Sequence, residues 1–452
     1  ISYLGCTVEE KLTLMKKKIM GKGFVLGVFM TAVLVAASAL FYYFQHKRTI
    51  TLGFFTGSAW DVPDAYTYQL IDDAVEKFEA GHPGVKVKFV SGIQKDDYSE
   101  YIASALIKGN APDVFFILPE DFSTFAGTDA LMKLDGFIDR DADYDKSRYY
   151  NASFEFGNIS GSQYGIPFES VPSMMFVNKT LLKNEGINEI PEYWTWEDFY
   201  DICSRVTKDT DGNGIEDRFG VCGYTWQHAF VTNSVDAFDT NGTSCNLLSE
   251  NAIEAVDFIK KINRLAKGNT VTADDFDKGN VAFMPALLSD YRTYKPYPWN
   301  IKKYTNFELD CITLPRGEKG DNKSTMSTLL LAMNSRADNE RLAWELIKTF
   351  CYDIEIQSEI YTYKEGASVL KTVTDSMTTM LSINQVLSEE GGMDINLITS
   401  IMDHAEPDYN FKDITLVKEM IDAGIDDIVK NGTDSKIGLQ MIEKRVRSFL
   451  NE

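Results

Sequence analysis

The stretch YGIPFESVPSMMFVNKTLLKNEGINEIPEYWTWEDF, from Tyr164 to Phe199, decides the fold. Ile166 and Pro167 suit an extended crossing, and Ser173 to Val177 reads as a short apolar strand. Asn178 is placed to cap a helix that starts at about Lys179 and stops near Gly186. A turn from Pro191 to Trp196 then leads into a second helix at Glu197. The stretch therefore divides into a hinge, Tyr164 to Pro172, and the opening of a second lobe from Ser173 onward. Glu169 lies in the hinge part.

Working back toward the N-terminus, Ile50 to Phe55 reads as a strand. Tyr68, Ile71, Ala74, Val75 and Phe78 share one helical face, and that helix ends at Gly81 and Pro83. Val85, Val87 and Phe89 alternate with Lys86 and Lys88, the period of a strand with one wet face near a sheet edge. Tyr98, Tyr101, Ile102, Ala105 and Leu106 form a second helical face that stops at Gly109, and Pro112 leads into the apolar strand Val114 to Leu118. Strand and helix in alternation imply right-handed βαβ crossovers and an open sheet flanked by helices. Ligands of such sheets sit at the carboxyl ends of the strands, here the loops Thr56 to Asp64 and Pro119 to Asp129.

Toward the C-terminus the logic repeats with longer helices. Ile253, Val256, Ile259, Ile262 and Leu265 share a face, as do Ala343, Trp344, Ile347 and Phe350. Tyr-Gly-Ile-Pro from Tyr164, the strand after it, Asn178-Lys179, the Gly186-ended helix and Pro191-x-x-Trp194 resemble the extracytoplasmic solute-binding proteins of ABC sugar importers, family 1, similar to maltose-binding protein. Phe276 to Met284 and the loop and strand from Leu314 to Ala332 extend the likeness over most of Thr49 to Leu450. The resemblance implies an α/β, two-lobe periplasmic-binding-protein-like fold of type II. Lobe 1 is then 49–167 with 324–362 and lobe 2 is 168–323 with 363–452, with a third crossing near Tyr361 to Val369. It also implies a carbohydrate ligand, an oligosaccharide by expectation, a permease with its ATPase as partners, and a monomeric binding domain. Rival readings on the same fold are a membrane-tethered sugar sensor or adhesion module without transport, and a glycoside hydrolase.

The chain has 452 residues, too many for one ordinary core, with formal charge -22 and pI near 4.7. Such acidity argues against nucleic acid as a partner, because phosphate-binding surfaces concentrate Lys and Arg. Six cysteines without CxxC spacing indicate neither a disulfide scaffold nor a zinc site; a single Cys222 to Cys245 bridge stays open beside buried free thiols. Phe24 to Phe44 is uncharged and long enough to cross a bilayer. Lys16, Lys17, Lys18 and Lys22 precede it, so residues 1–22 are expected in the cytoplasm, 23–45 as a transmembrane anchor or signal segment, and the remainder outside. Ala37-Ser38-Ala39 is the alternative, a cleavage site.

Asp209-Thr-Asp211-Gly-Asn213-Gly-Ile215-Glu-Asp217 places oxygen donors at positions 1, 3, 5 and 9 of an EF-hand-like loop, with glycine at 6 and the Ile215 carbonyl at 7. Calcium fits hard oxygen ligands without His or Cys, in a structural role. Position 12 is Gly220, so remaining ligands must come from elsewhere or from water. A metal-free polar turn capped by its own side chains is the alternative.

A sugar offers a C–H face that stacks on aromatic rings and hydroxyls that need paired donors and acceptors. Candidates in the first lobe are Trp60, Asp61, Glu120 and Asp121, with Glu169 at the crossing, where the resemblance implies a carboxylate. In the second lobe they are Tyr224, Trp226, Asn233, Tyr291 and Trp299. Each has a structural alternative: Trp60 packing its loop, Asp61 capping a helix, Trp299 covering a surface. Four histidines without a nucleophile pattern give no catalytic centre, so the protein is read as a non-enzyme, although Glu120 with Glu169 imitates a glycosidase pair.

Overall fold

The structure is a computed structural model that describes residues 30–38, 49–63, 66, 68–90, 92–294, 307–376 and 395–450. Most of the segment 23–45 lies outside them; residues 30–38 form an exposed helical stretch, and among the described residues no helix is long and apolar enough to cross a membrane. Twelve strands follow in chain order among the described residues: β1 (Thr49–Gly53), β2 (Lys86–Phe89), β3 (Val114–Ile117), β4 (Asn158–Ile159), β5 (Ser162–Gln163), β6 (Gly165–Asn178), β7 (Phe219–Val221), β8 (Val281–Leu287), β9 (Leu309–Ile312), β10 (Thr325–Met333), β11 (Ala367–Ser368) and β12 (Glu406–Pro407). Ten of them join in the order β2-β1-β3-β10-β6-β8-β7, with β9 and β11 on β6 and β12 on β10; β4 and β5 make a separate hairpin.

One long strand ties the halves together. β6 runs for 14 residues and every one is buried, as expected of a strand covered on both faces. Its first part, Gly165 to Pro172, pairs antiparallel with β10, and its second part, Ser173 to Asn178, pairs with β8 and β9. The sequence suggested an extended crossing followed by a separate strand of five residues; the structure makes them one strand, although Pro167 and Pro172 lack the N–H that a central strand donates. The structure absorbs Pro167 with a register shift: Leu329 lies opposite Glu169 and Leu330 opposite Pro167, so Phe168 is the extra residue of a bulge.

β1 and β3 are parallel neighbours, Leu52 opposite Val114, and β2 is the edge strand. The helix Gln69–Gly81 buries Leu70, Ile71, Ala74 and Phe78, and the helix Lys95–Lys108 ends at Gly109 in the left-handed conformation, φ 73°. In the second half, the Asn178 side chain accepts the Leu181 N–H and opens the helix Lys179–Asn184. A reciprocal Thr195 and Asp198 capping box opens the helix Trp196–Val206.

Alternate side chains of β6 feed two cores. Met174 and Phe176 continue the first-lobe core toward Phe276, Val281 and Tyr291, while Met175 and Val177 face Trp194, Phe199, Trp226 and Phe283. The chain beyond residue 363 contributes to both cores. β11 pairs with Glu169 and Ser170, Ile398, Ile401 and Met402 pack in the first core, and the second core begins at Phe411. Amphipathicity shows that such segments are half-buried, and it does not show which sheet they cover. Cys222 and Cys245 are separate buried thiols, as are Cys203, Cys311 and Cys351; the bridge left open by the sequence is not formed.

Candidate functional site

At the junction of the lobes, β10 enters the first sheet with β12 alongside, Thr325 opposite Glu406 and Met326 opposite Pro407. A cavity of about 350 Å³ opens beside this pair, the size class of small-ligand sites. Its walls come from four distant parts of the chain: the end of the helix Asn151–Phe156, the helix Trp226–Thr232 with the loop after it, Thr325 at the start of β10, and residues 406–411. Phe156, Trp226, Phe238, Tyr409 and Phe411 give it aromatic surface, and Glu155, Gln227, Asp236, Asp239 and Asn410 give it polar groups.

Hydrogen bonds fix these walls. Asn410 Nδ2 donates to the Phe156 carbonyl at 3.0 Å, and Ser160 Oγ donates to Asn241 Oδ1 at 2.8 Å, so the first-lobe turn touches the second lobe. The Ala237 N–H donates to the Tyr409 hydroxyl at 3.1 Å, and the Phe238 ring meets the Tyr409 ring edge-on at 5.1 Å. Burial pushes the Tyr409 phenol up to about 12. Trp226 Nε1 donates to Asp422 Oδ1 at 2.6 Å, which orients the indole from behind. Lys323 holds Glu406 at 2.6 Å and Lys418 holds Asp408 at 2.7 Å.

Of the residues proposed from sequence that the structure describes, Trp226 alone lines this cavity. Glu169 is buried at the crossing, where its Oε1 accepts the Gly366 N–H at 2.5 Å. It borders a space of about 20 Å³ with Gly57, Ser58, Lys364 and Glu365, room for about one water. Trp60 is buried in the loop after β1 with its indole N–H unpartnered, and its backbone N–H donates to Ser58 Oγ at 3.1 Å. Asp61, at φ 59°, pairs with Lys95 at 2.5 Å. Glu120 and Asp121 open the helix Pro119–Gly127, and burial raises both carboxyls; Asp121 also accepts Ser99 Oγ at 2.5 Å.

Three second-lobe candidates are core residues. The Tyr224 hydroxyl accepts Trp196 Nε1 at 2.9 Å, Asn233 donates to the Asn251 carbonyl and accepts the Lys319 N–H, and Tyr291 packs edge-on to Phe176. The polar ends of Tyr224 and Asn233 mimic a binding pattern in sequence but are used to close the second lobe. Trp299 lies outside the described residues. The residues that sequence reasoning missed are mainly in Glu406-Pro-Asp-Tyr-Asn-Phe411, whose alternation of acids and aromatics was the available signal. His228 is half-buried, and desolvation pushes its imidazole down to about 4, so it stays neutral. Its Nδ1 accepts the Thr225 N–H at 3.1 Å, a helix-capping role.

The acidic loop stands apart. Asp209, Asp211 and Asp217 bring carboxylate oxygens within 4.8 Å of one another. Gly212 and Gly214, at φ 77° and 89°, make the turn. Asp209 accepts the Gly212 and Gly214 N–H groups, which hold its carboxyl below the usual range, and the Ile215 N–H donates to Asn213 Oδ1. The donor set is all oxygen and still has free lone pairs, so it fits a hard cation.

Two sheets joined through one crossing strand, with a walled cavity at the joint, define a two-lobe binding protein. The chain belongs to the bacterial extracellular solute-binding proteins, a family matched over residues 60–350. It is 25% identical over 325 residues to the galactooligosaccharide-binding protein of Bacillus subtilis, covering 68% of this chain and 71% of that protein. It is 30% identical over 182 residues to the diacetylchitobiose binding protein of Streptomyces coelicolor, covering 40% of this chain and 38% of that one. The solved cyclic alpha-maltosyl-1,6-maltose binding protein of Arthrobacter globiformis shares the fold, with TM-score 0.74 over 89% of this chain and 98% of that chain at 15% identity.

Proposed function

We propose that this protein captures an oligosaccharide between its lobes and delivers it to an ABC importer. The observation that carries the reading is the junction cavity, where aromatic rings of Trp226, Tyr409 and Phe411 stand beside amide and carboxylate groups from both lobes. Such walls suit a ligand with apolar faces and polar edges. Ligand that touches both lobes favours the arrangement in which both sets of contacts are made, and bending is expected where β6 changes partners. The names of the relatives point to carbohydrate as the ligand class.

The segment 23–45 is the proposed tether to the outer face of the cytoplasmic membrane, and the binding domain works as a monomer. Asp209, Asp211, Asn213, Asp217 and the Ile215 carbonyl are the proposed calcium ligands, with the ion bracing the loop between the helix Trp196–Val206 and β7. Ligand is bound and released without hydrolysis. Thermal denaturation of the full chain against mono- and oligosaccharides tests the reading: at 100-fold excess over Kd the fold should gain about 2.7 kcal/mol. No stabilisation by any sugar would count against it.

A further inference from the structure

We infer that Trp226 is a partition between two cavities, and that Asp422, which latches it, sets the length of oligosaccharide that the junction accommodates; this rests on the sugar-binding reading above. Besides the junction cavity, the second lobe holds a space of about 220 Å³. It lies between β7 with the residues after it, the helix Glu250–Asn263 and the helix Ile414–Asn431. Among the described residues Trp226 is the single one that lines both spaces, and it is itself buried. An indole has one hydrogen-bond donor, and here Asp422 Oδ1 takes it at 2.6 Å. Asp422 belongs to the wall of the second cavity and not to that of the first, so the polar edge of the ring is drawn toward the second cavity.

Two features make this bond a latch. The acceptor is a carboxylate without an ion pair among the described residues, so no cation competes with the N–H for its charge. The ring also has somewhere to go. A buried tryptophan is ordinarily fixed by close packing on every side, whereas this one borders an open space into which a change of rotamer would carry it. Its edge-on contact with Phe230, at 5.2 Å, lies within its own helix and does not tie it to another element. With the latch made, the junction cavity ends at the ring. With it broken, the two spaces join, and the added one is more than half the size of the first. The wall of that space suits a further sugar unit. Asn263 and Asn269 donate through Nδ2 to the Ile259 and Ala266 carbonyls, which leaves their amide oxygens to accept sugar hydroxyls.

Titration calorimetry on the full chain tests this with α-1,4-linked glucose oligomers and β-1,4-linked galactose oligomers, each series running from the disaccharide to the hexasaccharide. Affinity for the wild type should rise with length until the junction cavity is filled and then level off, because further units stay in solvent. Asp422→Ala, at an exposed position, should move that plateau to longer chains and favour them about tenfold over the shorter ones, the scale of one hydrogen bond to a charged group. Asp422→Asn keeps an acceptor oxygen and should bring the plateau back toward the wild-type length. Ala266→Phe, added to Asp422→Ala, refills the second cavity and should restore it as well. An unshifted plateau in Asp422→Ala, or a shift that Ala266→Phe leaves in place, would overturn the partition. Equal shifts in Asp422→Ala and Asp422→Asn would overturn the hydrogen bond as its latch. Those results leave the sugar reading standing, whereas failure of every sugar to bind the wild type would remove that reading and this inference with it.

Discussion

Pro172 and Ser173 are bonded neighbours in one strand, yet Pro172 lies opposite Met326 in the first sheet and Ser173 opposite Leu287 in the second. The strand is continuous while its partners change, so the lobes are joined by backbone that keeps its extended form. Gly366 is where a second segment meets this crossing. A Cβ there would lie 2.6 Å from Glu169 Oε1 and 2.9 Å from the Ser170 carbonyl oxygen, in a fully packed place. Gly366→Ala should therefore destabilise the fold by about 1–3 kcal/mol. Urea unfolding measures it, and an unchanged midpoint would show that the joint yields freely.

Tyr409 is the gentler probe of the cavity wall. Tyr409→Phe removes the acceptor of the Ala237 N–H and leaves the ring, so stability should fall by about 1–3 kcal/mol. Sugar affinity should fall with it, because the loop that carries Phe238 loses the Ala237 hydrogen bond that fixes it. Equilibrium unfolding and calorimetry on the same preparation read both effects.

Glu359 makes stability depend on pH. Its carboxyl is raised to about 7, chiefly by burial and then by Asp73 and Glu355, and its Oε2 is a buried atom with no partner. The folded state thus binds the proton more tightly than the unfolded one. Its contribution is complete below the ordinary carboxylate range and is lost as pH rises through about 7. Discounted for partial solvent access, the loss should be about 1–2 kcal/mol. Glu359→Gln should be the more stable protein at pH near 8 and should show a flatter profile from about pH 5 upward. A wild-type profile that the substitution leaves unaltered would contradict this.

The acidic loop gives a separate expectation. Millimolar calcium should raise the melting temperature of the full chain, chelator should reverse it, and Asp209→Asn should remove most of the response. Magnesium should do less, since it resists losing its water shell. Identical melting curves with calcium and with chelator would leave Asp209, Asp211 and Asp217 as a self-capped turn.

Much of the frame is readable in the sequence because local signals carry it. Gly109 ends its helix, Asn178 caps the next, and of the face read from Tyr68 to Phe78 the structure buries Ile71, Ala74 and Phe78. The length of β6 is hidden by its two prolines, which a bulge and a change of partners accommodate. The cavity is less legible still. Residues 155–158, 226–240 and 406–411 meet only through the third dimension. Tyr224 and Asn233 look like binding residues because their polar groups are needed, but the partners they satisfy are in the protein's own core, and the Tyr291 ring packs there against Phe176.

The central claim is that an oligosaccharide binds at the lobe junction against Trp226. Titration calorimetry of an oligosaccharide panel into the full chain and into Trp226→Ala tests it most directly. Because that substitution also removes a core contact and costs about 3–5 kcal/mol of stability, the variant is first shown to be folded by its unfolding curve. The account predicts saturable one-to-one binding of at least one sugar to the wild type, with a negative heat-capacity change, and loss of about tenfold or more in the folded variant. Equal affinity in the two proteins would contradict it.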